Sequence, residues 1–541
     1  MRRQIGALCA MVLASGMAGI TSRHALAANT LCVGGHSGCF STLQAAVDAA
    51  HNGDTIRIDR GTFKGGVTVD VSVRIVGSGR DNTILKGGSS VLTIGRYNAT
   101  SEPTVSISAL TITGGVARSS PYSIPYTGVA GVVAAGGGVE IPSSQAGLGA
   151  TVTIADTNIT GNRVAPRRSL PVGPPCPGNV GCPFAAAWGG GIDNAGALKV
   201  INSTISHNLI GSASGLSNLA SDAEGAGIRN FSAGTLVIDD SSVSDNHASA
   251  TTPNGRFADS GGIFALGPTL TMDNDVVTHN TAELSTSMPN SVQTLAIAGG
   301  IHVSNNTSGA IRDTTISENS VSATNSVGDA SASSGGLHSD GPLPLPLTND
   351  VISENSVTAT TTPASAGSAF ADSGAGEIGG TGAIRQTRFI GNSVTATSSA
   401  GTAEADGGAF VAGTSPGATI SGSLIRDNRL SATSTSGSAI VEGGGIKNVQ
   451  QLTLRDTVVA DNTGIAHGPA GIAQGGGIWN GTIPGAPPPT ELTLDDSTVT
   501  GNTLTASPGI TVHGGGLYTT LPVTRADSRI DDNVPDQCYG C

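Results

Sequence analysis

The chain has 541 residues, of which 79 are glycine; 3% are aromatic, 12% are charged, and the formal net charge is −13. This acidic balance excludes a general nucleic-acid binder, because no basic cluster is available to neutralise phosphates. The lack of a strict Gly-X-Y period excludes collagen, and no stretch beyond the amino terminus is apolar for long enough to span a bilayer.

The first 27 residues have the pattern of a secretory signal peptide. Arg2 and Arg3 precede the apolar stretch 5–20, and residues 25–27, ALA, form a cleavage site. We therefore expect cleavage after Ala27 and a mature chain that is secreted or held at the cell surface.

Six cysteines remain after this cleavage, and they lie in three local pairs: Cys32 with Cys39, Cys176 with Cys182, and Cys538 with Cys541. An even number of cysteines in an exported chain predicts disulfides. Six cysteines allow 15 connectivities, and the closeness of each pair favours local bridges. A redox or metal function for CYGC (538–541) is disfavoured, because no histidine or second CxxC accompanies it.

A short amphipathic helix is predicted over residues 41–50, with Ser41 as its N-cap and Leu43 among the residues on its apolar face. The first strands are predicted to lie within residues 53–63. A solenoid needs its terminal coils covered. We expect residues 28–60 to form the amino-terminal cap and residues 535–541 to form a disulfide cap at the other end.

A glycine-rich unit then recurs eleven times between residues 139 and 517, with a step of about 38 residues. It starts as in GGGID (189–193) and closes on asparagine as in STISHN (203–208). The segments between have the period of 2 that is typical of strands. Residues 130–534 are therefore predicted to form stacked coils of three or more short strands with inward aliphatic ladders.

The closing asparagine of each unit is expected to lie at a left-handed turn and to bond to its equivalents along the solenoid axis. A run such as SVTAT (356–360) follows it, with hydroxyl side chains alternating with Ala or Val. This run predicts either an extra strand that lengthens each coil or a flexible Ser/Thr arm.

Residues 42–79 resemble the opening of pectin lyase-like right-handed parallel β-helix proteins. The GGGI and STISxN units are similar to repeats of secreted and surface bacterial β-helix proteins, including polymorphic outer-membrane proteins and adhesins. The resemblance covers roughly residues 40–541. It implies an all-β, single-stranded right-handed parallel β-helix over residues 28–541, with a short N-terminal α-helical cap. It implies no single activity, because this superfamily contains lyases, hydrolases, esterases, epimerases, adhesins and passive surface proteins.

Motifs of the superfamily's enzymes are absent. Those of polygalacturonase-like hydrolases, pectate lyases, pectinesterases and mannuronan epimerases do not occur, nor do a calcium nonapeptide run or HExxH. We therefore predict no metal site and no cofactor, with calcium implied only if the chain is a lyase.

Candidate site residues follow the glycines. The residue after the inward aliphatic one is predicted to point outwards, beside a bare strip of glycine backbone that serves either tight stacking of the coils or a ligand lying close. The predicted outward column is Glu140, Asp193, Arg229, Phe264, His302, His338, Ile378, Phe410, Lys447, Trp479 and Tyr518. Aromatic rings stack on sugars, and carboxylates and guanidinium groups bond hydroxyls or acidic groups of the sugar chain. The predicted glycan-binding residues are Trp188, Asp193, Arg229, His302, His338, Trp479 and Tyr518.

Glu224 and Asp259 directly precede the glycine segments of neighbouring coils, where adjacent carboxylates could form an acid–base pair. Together with Asp193 and Arg229 they are the candidate catalytic set, and the favoured alternative is that they are solvated turn residues. His302 and His338 form either a stacked surface pair or a metal or proton-transfer site. The surface pair is favoured because no third ligand is evident.

Two functions remain. The first is a secreted or cell-surface binding protein, an adhesin or glycan-binding solenoid without turnover, favoured by the missing catalytic motifs and the regular repeats. The second is a polysaccharide lyase or glycoside hydrolase with a non-standard site on the glycine-rich face. In either case we expect a monomer that binds an extracellular polysaccharide or cell-surface glycan.

Overall fold

The computed structural model describes residues 28–97, 99–119, 132–144, 147–166, 184–211, 220–251, 255–290, 294–304, 306–340, 345–362, 366–378, 383–413, 417–482 and 491–541. The predicted signal peptide and the predicted pair Cys176 and Cys182 lie outside these residues. The other two predicted disulfides, Cys32–Cys39 and Cys538–Cys541, are confirmed.

Short strands that pair in parallel from coil to coil make up four sheets. The structure therefore confirms the all-β parallel solenoid that the resemblance implies. Sheet A, which forms two faces of a barrel, contains Thr30–Val33, Thr55–Ile58, Gly61–Lys64, Arg74–Val76, Thr83–Lys86, Thr104–Thr113, Thr151–Thr160, Ala197–Ile201, Thr204–Ser206, Thr235–Asp239, Ser242–Ser244, Thr269–Asp273, Val276–Thr278, Ser308–Arg312, Thr315–Ser317, Leu347–Thr348, Val351–Ser353, Ala383–Arg385, Arg388–Ile390, Ala418–Ser421, Leu424–Arg426, Leu452–Arg455, Val458–Ala460, Leu492–Asp495, Thr498–Thr500, Val523–Ala526 and Arg529–Asp531.

Three further sheets complete the coils. Sheet B, the remaining face of the barrel, contains Val67–Val69, Leu92–Ile94, Val139–Ile141, Ile192–Asn194, Ile228–Asn230, Ile263–Ala265, Ile301–Val303, Leu337–Ser339, Gly376–Ile378, Phe410–Ala412, Ile446–Asn448, Ile478–Asn480, Leu517–Thr519 and Cys538–Tyr539. Sheet C contains Val116–Ala117, Arg163–Val164, Leu209–Gly211, His247–Thr251, Thr281–Thr286, Ser320–Asn325, Ser356–Thr361, Ser393–Ser398, Arg429–Ser434, Thr463–His467 and Thr503–Ala506. Sheet D contains Val132–Ala135, Phe184–Trp188, Ala220–Glu224, Gly255–Asp259, Leu295–Ile297, Ala330–Ser333, Ala369–Asp372, Ala403–Asp406, Ser438–Glu442, Ala470–Gln474 and Ile510–His513.

One coil therefore has five strands, in agreement with the prediction of three or more. The chain passes through one strand of sheet B, two of sheet A, one of sheet C and one of sheet D before a glycine turn returns it to sheet B. The SVTAT-type runs are the strands of sheet C, so the extra strand is confirmed and the flexible arm is wrong.

Two cores run along the solenoid. The barrel core between sheets A and B is built from Ile, Leu and Val ladders. Sheets C and D form a lobe whose core is mainly alanine, with Val and Leu. Strands Ser320–Asn325 and Ala330–Ser333 have Cα atoms within 8 Å of each other, closer than the about 10 Å usual for stacked sheets. Small alanine side chains allow this close packing.

Stacked asparagines line one corner of the barrel, as predicted. Each side-chain Nδ2 donates to the Oδ1 of the asparagine on the next coil at 2.8 to 3.0 Å. The left-handed turn lies one residue earlier than predicted: His279, with φ of 55°, precedes Asn280, which is fully buried. The buried amides are satisfied by one another, as buried polar groups must be.

The glycines allow the backbones of successive coils to stack closely. Gly189 adopts a φ of 56°, and a Cβ on Gly190 would lie 2.5 Å from the carbonyl oxygen of Ala226 on the next coil. All three glycines of GGGID (189–193) are buried. Tight stacking, one of the two predicted uses of the glycines, is confirmed, whereas a strip of backbone open to a ligand is wrong because the neighbouring coil and the lobe cover it.

The one helix among the described residues, α1, spans Leu43–Ala49. Its N-cap is Thr42, which accepts a hydrogen bond from Ala45 N at 3.2 Å, and not the predicted Ser41. Leu43, Ala46 and Val47 are buried in the barrel core. No helix in the described part of the chain has the length and hydropathy needed to cross a membrane.

Candidate functional site

The outward side chains of sheet B line the corner where the lobe joins the barrel. We call this column the seam, and it comprises Glu140, Asp193, Arg229, Phe264, His302, His338, Glu377, Val411, Lys447, Trp479, Tyr518 and Tyr539. The last residues of the sheet D strands border it on one side, among them the predicted Trp188, Glu224 and Asp259. The loops after sheet B border it on the other side.

Two predicted members of the column are wrong. Gly376 takes the inward place in its coil, so Glu377 points outwards in place of Ile378. Phe410 is fully buried and pairs with the inward Ile446, so Val411 occupies the outward position. In both coils the glycine run is irregular, and alternation counted from it selects the wrong residue.

The Arg229 cluster joins three of the four candidate catalytic residues. Arg229 Nη1 lies 3.2 Å from Asp193 Oδ1, and Arg229 Nε donates to Glu224 Oε2 at 3.0 Å. The rings of Trp188 and Phe231 lie 4.0 and 4.1 Å from the guanidinium carbon and cover it. The side chains of Arg229 and Asp193 are only 6% and 4% exposed. The cluster is thus a compact buried ion network.

Burial changes the acidity of two carboxyls here. It raises the pKa of Glu224 to about 7, against the opposing charge of Arg229 and with a contribution from Asp259. It also raises the pKa of Glu140 to about 7, with help from the charge of Asp193. These groups are near the protonation midpoint at neutral pH, which is the range that acid–base chemistry uses.

Asp259, the fourth catalytic candidate, belongs to a different group, the His302 cluster, which comprises Asp259, His302, His338, Asp340 and Glu377. His302 Nδ1 donates to Asp259 Oδ2 at 2.8 Å, and His302 Nε2 lies 3.0 Å from Asp340 Oδ1. His338 Nε2 lies 3.8 Å from the same oxygen. Burial by itself lowers the pKa of His302, but Asp259 and Asp340 outweigh it and raise the pKa to about 10.

The two histidines are not a surface pair. They meet edge to face with ring centroids 4.7 Å apart, and their side chains are 5% and 11% exposed. Asp340, the third group, was not among the predicted residues. The signal for it was closeness in sequence alone, because Asp340 is two residues after His338 but lies past the end of the strand Leu337–Ser339.

Lys447 is the centre of a third cluster. Its Nζ lies 2.6 Å from Asp406 Oδ2 and 2.7 Å from Glu442 Oε2, with Glu404 Oε1 at 3.9 Å. Burial raises the pKa of Asp406 to about 7, against the charge of Lys447. The three carboxylates already share a buried ammonium group.

The predicted sugar-stacking rings are largely covered. Trp479 lies between Lys447, whose Nζ is 5.2 Å from its ring centroid, and Tyr518, whose ring is stacked at 6.4 Å. Tyr518 stacks in turn on Tyr539 at 5.4 Å. In this ladder the ring faces contact one another, and Tyr539 is the ring with the largest exposure, 45%.

No protein-family model and no curated protein matches the chain significantly. Among solved structures, it is similar to the A-module of mannuronan C-5 epimerase AlgE6 from Azotobacter vinelandii, at 13% identity and a TM-score of 0.34. The match covers 90% of this chain and 94% of that one. The AlgE4 A-module of the same organism matches over the same shares at 10% identity and a TM-score of 0.29. These values are too low to assign the chain a family or an activity.

Proposed function

We propose that the chain is a secreted or cell-surface glycan-binding solenoid that holds an extended, uncharged polysaccharide along the seam. The proposal rests on two columns of side chains that meet at this corner, the outward residues of sheet B and the last residues of the sheet D strands. Each coil contributes one residue to each column. Successive coils are about 4.8 Å apart, which is close to the length of one sugar residue in an extended chain. A periodic ligand suits a periodic surface of this kind.

Charge favours an uncharged ligand. The partly exposed ionisable groups of the seam and its borders are mostly carboxylates, including Glu224, Asp340, Glu377 and Glu404. Carboxylates accept hydrogen bonds from sugar hydroxyls. The buried cations Arg229 and Lys447 are already paired with acids. An anionic polymer would therefore meet repulsion along the seam.

The proposal also includes export of the chain from the cell and the role of α1 as the amino-terminal cap of the solenoid. Two disulfides support an exported chain. The burial of the apolar face of α1 against the first strands supports its role as the amino-terminal cap.

Affinity electrophoresis against panels of neutral and acidic polysaccharides tests this function, with unsaturated products and reducing ends followed in parallel. We expect retention by at least one neutral polymer, none by acidic polymers, and no product. Glu404→Gln and Tyr539→Ala should weaken retention. Glu318→Gln, an exposed carboxylate outside the seam, is the matched control. Absence of retention on every polymer contradicts the proposal.

Polysaccharide cleavage is the second candidate, favoured by the pKa near 7 of Glu224, which contacts Arg229, and by the pKa near 7 of Glu140, which lies next to Asp193. An acid–base residue and a cation are the groups that β-elimination requires. Product formation that Glu224→Gln abolishes would establish this function in place of simple binding. Product that survives alanine substitution of Asp193, Arg229, Glu224 and Asp259 would exclude this site.

A further inference from the structure

We propose that His302, His338 and Asp340 bind a divalent transition-metal ion such as Zn²⁺. This inference does not depend on glycan binding, because it rests on the geometry and donor atoms of the cluster alone.

The three donor atoms converge. One ligand atom from each residue lies within 4.8 Å of the others. Both imidazole Nε2 atoms face Asp340 Oδ1, at 3.0 Å for His302 and 3.8 Å for His338. Metal–ligand bonds of about 2.0–2.2 Å at tetrahedral angles separate ligand atoms by about 3.3–3.6 Å. A small movement of Asp340, whose side chain is 46% exposed, brings its oxygen to that distance from both histidine nitrogens.

The environment of His302 Nε2 distinguishes this cluster from an ordinary ion pair. The side chain is 95% buried, yet this nitrogen has no hydrogen-bond partner among the described residues. The Asp340 oxygen forms an ion pair with this nitrogen at 3.0 Å, but its direction is unfavourable for a hydrogen bond. A buried polar atom without a partner is costly. A metal ion at this point would satisfy it and would replace any proton held there.

Asp259 supplies the supporting contact that metal-binding histidines usually have. Its carboxylate accepts a hydrogen bond from His302 Nδ1, which orients the ring and leaves Nε2 for the metal. Two imidazoles and one carboxylate suit zinc or a similar transition metal, whereas Ca²⁺ prefers oxygen ligands alone. Three protein ligands also leave a coordination position for water or a ligand hydroxyl.

Isothermal titration of the mature, EDTA-treated chain with Zn²⁺ tests the site. We expect one ion per chain with a dissociation constant in the micromolar range or tighter, and no displacement by millimolar Ca²⁺. Asp259→Asn should weaken binding by about 10- to 100-fold, and Asp340→Asn and His338→Gln should weaken it further. His279→Gln, which removes an exposed histidine paired with Glu318, should leave binding unchanged.

Asp340→Asn is suited to this test because its half-exposed side chain can be replaced without disturbing the core, and circular dichroism checks the fold. X-ray absorption of the Zn²⁺-loaded wild-type chain should show imidazole ligands. Failure of the wild type to bind Zn²⁺, binding unchanged in Asp340→Asn, displacement by Ca²⁺, or a spectrum without imidazole each overturns the proposal.

Discussion

The Arg229 and His302 clusters lie two coils apart on the same seam, yet their charges are satisfied to different degrees. Arg229 contacts two carboxylates and is covered by two rings. His302 has one ring nitrogen bonded to Asp259 and the other without a hydrogen-bond partner among the described residues. The difference teaches that burial of a charge does not by itself identify a binding site: the charge of Arg229 is paired and its faces are covered, whereas His302 Nε2 is the atom on which the metal site proposed above depends.

Replacing the cation of the Arg229 cluster should have the largest effect. Arg229→Met keeps apolar contact with Trp188 but leaves Asp193 buried and unpaired, so we expect a loss of about 3–5 kcal/mol in the free energy of unfolding at pH 7. Chemical denaturation measures it. Arg455→Met, at an exposed pair with Asp495, is the control and should have a much smaller effect, because solvent screens such pairs. Equal effects of the two substitutions would contradict a structural role for Arg229.

The pH dependence of the free energy of unfolding tests the electrostatics around Glu140, beside this cluster. The pKa of Glu140 is raised from 4.5 to about 7 in the folded chain, so the folded state retains a proton that the unfolded state releases between these values. The resulting stability is full below pH 4.5 and is lost as pH rises through 7. Glu140→Gln should therefore match the wild type near pH 4 and exceed its free energy of unfolding by up to about 3 kcal/mol at pH 8.

Denaturation of both chains at the two pH values measures this difference. The variant keeps an oxygen acceptor for the hydroxyl of Ser90, which donates to Glu140 Oε2 at 3.1 Å. A difference that stays the same between pH 4 and pH 8 would show that burial does not hold the proton on Glu140.

The smallest structural effect is expected in the His302 cluster. His338 has one close polar contact, Ser334 Oγ at 3.0 Å from Nδ1, besides the edge-to-face contact with His302 and more distant carboxylates. His338→Gln should therefore change stability by less than about 1 kcal/mol without metal. Zn²⁺ at 100 times its dissociation constant should stabilise the wild type by about 2.7 kcal/mol and leave the variant unchanged. Thermal or chemical unfolding with and without Zn²⁺ tells the outcomes apart; equal stabilisation of both chains would place the metal elsewhere.

Much of the fold is predictable because each coil repeats the same local chemistry. The glycine units, the closing asparagines and the period of 2 predict stacked parallel strands and the ladder through Asn280 and Asn319. Sequence alone could not decide whether the SVTAT-type runs are strands, because their alanine core exists only when sheet D packs against them.

The site is less predictable because its contacts cross coils and loops. Alternation correctly selects Asp193, Arg229, His302 and His338, but it fails where irregular glycine runs place Phe410 inwards. Which side chains pair depends on the register between sheets B and D. Glu224 contacts Arg229 on the sheet B strand that follows it directly, whereas Asp259 contacts His302 on the second sheet B strand that follows it. Glu224 and Asp259 therefore do not form the predicted acid–base pair. Phe231 and Asp340 lie beyond the strand ends, where strand periodicity does not apply.

Anomalous diffraction from Zn²⁺-loaded crystals would test most directly the proposal that the His302 cluster is the metal site of the seam. We predict one strong peak between His302 Nε2, His338 Nε2 and Asp340, with none at the Arg229 cluster or among the carboxylates around Lys447. A peak among Glu404, Asp406 and Glu442, or no peak on the seam, would contradict it.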